Sequence, residues 1–117
     1  MEAGVRFRWH GELARRESTQ ALVQREAAFL DRRFATTDEE LKTLDVELEP
    51  LARVDRVRAK LVFHAPGRVI VASAEADRAP MAVRLAFDDL YDQIDQYIAR
   101  LRNEPAIRRA RHELESR

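Results

Sequence analysis

The sequence predicts an α+β domain of element order β-α-β-β-β-α, a four-stranded mixed sheet with both helices packed on one face. Three observations carry this prediction. Short stretches alternate apolar and charged residues with period two, and two longer stretches repeat apolar residues at intervals of three and four. Every predicted strand also has a single apolar side, so both helices must cover the same sheet face.

The first strand contains Val5, Phe7 and Trp9, alternating with Arg6, Arg8 and His10. Ser18 or Thr19 is the expected cap of the first helix, whose stripe is Val23, Ala27, Leu30 and Phe34. Residues 35–38 read as a loop. Leu44, Val46 and Leu48 alternate with Asp45, Glu47 and Glu49, and Pro50 ends that strand because proline cannot donate to a ladder. Val57, Ala59, Leu61 and Phe63 alternate with Arg56, Arg58 and Lys60. Pro66 and Gly67 supply the turn into a fourth strand. Its inner face, Ile70, Ala72, Ala74 and Ala76, is small enough for a helix to come close.

Asp77 is the expected cap of the second helix, with Pro80 tolerated in its first turn. Val83, Phe87, Leu90, Ile94, Tyr97 and Leu101 then mark an amphipathic helix of roughly six turns. Asn103 to Pro105 are expected to break it. The domain is accordingly drawn at 1–103. Residues 104–117 form a basic C-terminal tail, with at most a short helix on the thin face Ile107, Ala110 and Leu114.

The single helix between the first two strands makes them parallel neighbours, and the next two connections are hairpins. Outward charges agree with that order. Arg6 and Arg8 lie on one side of the acidic strand, and Arg56, Arg58 and Lys60 lie on the other, which favours cross-strand pairs.

The 117 residues suffice for one core, and the chain is 45% apolar and 36% charged. Cysteine is absent, which excludes disulfides and thiol chemistry. No apolar run approaches the ~18 residues of a membrane span, and MEAGVRFRWHGELARR has no signal core. A soluble, cytoplasmic protein is the expectation. Basic and acidic residues balance at 21 each, which weighs against a simple nucleic-acid binder.

AKLVFHAPG (59–67), RVIVASAEAD (68–77) and MAVRLAFDDLYDQIDQYIARL (81–101) resemble the ribosome hibernation-promoting factors, also called ribosome-associated inhibitor or sigma-modulation proteins, in their short form. The likeness lies in a strand ending His-x-Pro-Gly, a strand of alternating alanines, an acidic cap and a spaced apolar helix. It extends more loosely to the first strand and helix. The resemblance implies a non-catalytic factor that occupies the mRNA/tRNA channel of the small ribosomal subunit. There it inhibits translation during dormancy or stress, with basic helix residues on rRNA phosphates. It implies no cofactor, no small-molecule substrate and no membrane partner. Long members add a second domain that pairs ribosomes, which is not expected of a chain that stops here.

One departure matters. The family's second helix is usually basic on its exposed face, and here it carries Asp88, Asp89, Asp92 and Asp95. Carboxylates repel phosphates. The expected RNA contacts are therefore Arg15, Arg16, Arg25, Arg32, Arg33, Arg100, Arg102, Arg108, Arg109 and Arg111. The alternative is a protein-interaction module of the same fold that docks a basic partner on the four aspartates, which otherwise read as a solvated face.

No catalytic residue stands out. His10, His64 and His112 lack metal-ligand spacing, and no glycine-rich phosphate loop is present. Phe7, Trp9 and Phe63 fall on the face that the helices need, so they read as core rather than an RNA-stacking platform. Tyr91 lies off the main stripe and is expected to be partly exposed.

Overall fold

The computed structural model describes residues 5–33, 42–65 and 68–115, with the side chains of 31–33 and 101–115 outside that description. Strand β1 (Arg6–His10) leads into helix α1 (Glu17–Arg33). Strands β2 (Thr43–Pro50), β3 (Val57–Ala65) and β4 (Arg68–Ala76) follow, and then helix α2 (Ala79–Glu115). The sheet order is β1-β2-β3-β4. β1 runs parallel to β2, and the other two pairings are antiparallel. Element order, strand order and direction all follow the sequence pattern.

A single core lies between the sheet and the helices. From the sheet come Leu44, Val46, Leu48, Ala59, Leu61, Phe63, Ile70 and Ala72. From the helices come Val23, Ala27, Leu30, Val83, Phe87, Leu90 and Ile94. Both helices therefore cover the same face. Phe63 is fully buried, and Phe7 and Trp9 are half-buried, stacked on each other with centroids 5.4 Å apart. These aromatics are packing residues, as the alternation predicts. Ala72 and Ala76 of β4 and Ala82 and Ala86 of α2 are all buried in the one core, so small side chains on both elements let α2 approach β4.

The helix ends differ from expectation. The Gln20 amide donates to the Arg16 carbonyl, so α1 starts before Ser18 and Thr19, which stand inside its first turn. The chain is already turned by Arg15 and Arg16 amides donating to the Glu12 and Leu13 carbonyls. That frees the helix from a hydroxyl cap, and Glu17 supplies the favourable charge at its N-terminus. At α2 the Ala82 amide donates to the Arg78 carbonyl. Asp77 is instead drawn away by Arg56, 3.3 Å distant, and is not the cap.

The largest correction concerns Asn103 to Pro105. They do not break α2, which continues as one helix to Glu115. Proline forfeits the bond its missing N–H would donate to the Leu101 carbonyl and crowds that carbonyl with its ring, but the flanking alanine, arginine, glutamate and leucine are strong helix formers. At 1.5 Å per residue the 37-residue helix is about 55 Å long, close to the 59 Å long axis of the molecule. The expected loop at 35–38 and the Pro66-Gly67 turn lie outside the described residues. No helix of the described chain is long and apolar enough to cross a membrane.

Candidate nucleic-acid interface

The predicted arginines fall into groups set by helix direction. The beginnings of α1 and α2 meet at a cleft of about 240 Å³ lined by Leu13, Arg16, Ser18, Thr19, Ala79 and Val83 among others. Further along, Tyr91 of α2 reaches Glu26 of α1. The two helices therefore run in the same direction. Arg15 and Arg16 stand exposed at the shared N-terminal end, and Arg25 is exposed midway along α1. Arg32 and Arg33 close α1, about 25 Å beyond Arg16 at the helical rise. Arg100 is exposed towards the same far end, on α2. Arg102, Arg108, Arg109 and Arg111 lie on the continuation of α2 rather than on a separate tail. The side chains of Arg32, Arg33, Arg102, Arg108, Arg109 and Arg111 lie outside the described set.

Between these basic ends runs an acidic stretch. Asp88, Asp92 and Asp95 are exposed on α2. Asp89 is half-buried and accepts from the Gln93 amide at 3.2 Å. Gln93 also donates to the Val71 carbonyl at 2.8 Å, on the outer edge of β4. Asp89 therefore helps position a side chain that covers an unpaired strand edge.

The open face of the sheet holds a further cluster, which no sequence motif marks. Asp45 accepts from His64 Nε2 at 2.8 Å and from His10 Nε2 at 3.2 Å, with Arg8 Nε at 3.4 Å. Burial raises the Asp45 pKa. The hydrogen bonds from His10 and His64 and the Arg8 charge lower it, and the net result is a carboxyl below its ordinary value. His10 and His64 are far apart in sequence. Strand parity alone puts them with Asp45 on the polar face, and that signal was available. The expected pairing of the acidic strand with its basic neighbours forms: Arg8 lies opposite Asp45, and Arg58 contacts Glu49 at 3.4 Å. Arg58 also reaches Glu75 of β4 at 2.9 Å, a pair the sequence pattern does not predict. No group of three or more metal-ligating side chains among the described residues is arranged to hold an ion.

Tyr91 is half-buried, in keeping with its expected partial exposure. Its ring lies edge-on to Phe29 at 6.3 Å and tilted against Phe87 at 5.9 Å, and its hydroxyl donates to the Glu26 carbonyl. It joins the helices that carry the arginines.

No protein-family model and no curated protein matches this sequence. Solved structures do. The Protein Y N-terminal domain of Thermus thermophilus is similar over 80% of this chain and 98% of its own, with a TM-score of 0.65 and 19% identity. A ribosomal subunit interface protein from Coxiella burnetii is similar over 81% of this chain and 97% of its own, with a TM-score of 0.58 and 14% identity. At these identities the likeness shows that the chain shares their fold across nearly their whole length.

Proposed function

We propose that this chain is a member of the hibernation-promoting family: a cytoplasmic, non-catalytic, ribosome-associated factor. In this reading it occupies the mRNA/tRNA channel of the small subunit and inhibits translation in dormancy or stress. The observation that carries the reading is the shared βαβββα fold. It covers about four-fifths of the chain and nearly all of two proteins, one of them named for the ribosomal subunit interface. The local resemblance over residues 59–101 supports it independently of overall shape. The rRNA contacts are assigned to Arg15, Arg16 and Arg25 and to the far basic group of Arg32, Arg33, Arg100, Arg102, Arg108, Arg109 and Arg111. Phosphate contacts of this kind release counterions, so affinity falls as salt rises.

Co-sedimentation with purified small subunits tests the reading. Binding at low salt that weakens with added salt supports it, and no binding at any salt rejects it. Reversing Arg32 and Arg33 to glutamate should weaken binding. Unchanged affinity removes that pair from the interface.

A second reading rests on the exposed Asp88, Asp92 and Asp95, with Asp89 beside them. Here the α2 face docks a basic protein partner. Recovery of one stoichiometric protein without rRNA favours this alternative.

A further inference from the structure

The unbroken helix creates a charge pattern that a broken one would lack. Met81, Asp88, Asp95, Arg102 and Arg109 recur every seven residues along α2, and so do Leu85, Asp92, Ala99, Ala106 and Glu113. Heptad spacing keeps each series on one side of the helix and the two series adjacent. Every described member of both series, from Met81 to Ala99, is exposed. Met81 is 51% exposed and Leu85 is 41% exposed, which is unusual for large apolar side chains on a helix that otherwise buries its apolar face. The stripe is acidic in its first half and basic in its second.

We propose that α2 pairs antiparallel with α2 of a second copy of this chain, about a two-fold axis between Ile98 and Ala99. That axis sets Arg84 opposite Glu113, Asp88 opposite Arg109 and Asp95 opposite Arg102. Because a two-fold interface repeats each contact, every pair occurs twice. No two like charges fall opposite each other in this register. Sliding the partners by four residues sets Arg84 against Arg109 in one direction and Asp88 against Glu113 in the other. A parallel arrangement sets Asp88 against Asp88. Charge thus selects both the direction and the register.

The small Ala99 lies at the axis, where two helices cross most closely, and its side chain is exposed. The last turns of one copy, around His112, fall over Leu85 of the other and cover an apolar side chain now in solvent. Asp92 falls opposite Pro105 and has no ionic partner in this register. The acidic stretch of α2, a departure from the basic helix of the resembling family, acquires a role as the docking strip for the arginines of the same sequence.

The pairing does not depend on ribosome binding, and its test uses no ribosomes. Sedimentation equilibrium of the full chain across protein concentration, at low and at high salt, reads it directly. A reversible dimer at low salt that dissociates at high salt is expected. Asp88→Arg sets arginine against arginine and Arg109→Asp sets aspartate against aspartate, so each weakens self-association by about tenfold. The double variant Asp88→Arg with Arg109→Asp restores both pairs in swapped form and returns the affinity to that of the parent. A monomer at every concentration in low salt overturns the proposal. So does a dimer indifferent to the single reversals, or a double variant as weak as the singles.

Discussion

The Tyr91 hydroxyl of α2 donates a hydrogen bond to the main-chain carbonyl of Glu26 in α1. The two residues stand 65 positions apart, and the bond ties together the helices that carry the candidate contact arginines. Tyr91→Phe keeps the ring between Phe29 and Phe87 and removes only the donor. The Glu26 carbonyl retains the helical bond of its own turn, so the expected loss is about 1 kcal/mol. Tyr91→Ala also empties space beside Phe87 and should cost about 3 kcal/mol or more. Urea unfolding checks both, with an unchanged m-value expected for the phenylalanine variant.

Asp45 predicts a pH dependence. Its carboxyl is held below the ordinary value, against the opposing effect of burial, by His10, His64 and Arg8. A depressed carboxylate contributes stability that is present above its unfolded pKa and lost as pH falls through its folded one. Asp45→Asn keeps an acceptor for the histidines but removes the charge. The variant should be less stable than the parent by about 1 kcal/mol at neutral pH. The gap should close as pH falls below the usual carboxylate range. Thermal melts at a series of pH values check this. A gap that widens with acid contradicts the assignment.

Gly11 is fixed by its backbone. Its φ is +93°, and a Cβ added there would lie 2.8 Å from the Leu48 carbonyl oxygen. Gly11 leaves β1 beside β2, so the carbonyl it approaches belongs to the neighbouring strand and cannot swing aside. Gly11→Ala should destabilise the fold by about 1–3 kcal/mol through strain and the close contact. Denaturant midpoints measure it, and a neutral result contradicts the close approach.

The sheet was legible because charge and parity agreed. Asp45, Glu47 and Glu49 sit between the basic strands, and β2 runs between β1 and β3 with Arg8 on Asp45 and Arg58 on Glu49. Helix ends were harder to read. Ser18, Thr19 and Asp77 have capping chemistry, yet at α1 a preceding turn already oriented the chain, and at α2 Arg56 competed for the carboxylate. Pro105 carries a strong local penalty that its helix-forming neighbours override. Parity put His10 and His64 on the same polar face as Asp45, but their contact with it depends on the strand register. Tyr91 was hidden because a hydroxyl's partner on another helix leaves no periodic trace. The arginines were visible as residue types, but their division between two helix ends depends on the shared direction of α1 and α2.

The most direct measurement of the central claim is competition on the small subunit. Purified small subunits are titrated with the chain in the presence and absence of a bound messenger RNA, at fixed salt and then across a salt series. Mutual exclusion of chain and messenger is expected, with log affinity falling linearly as log salt rises. Simultaneous binding of both without loss of either affinity, or an affinity indifferent to salt, contradicts it.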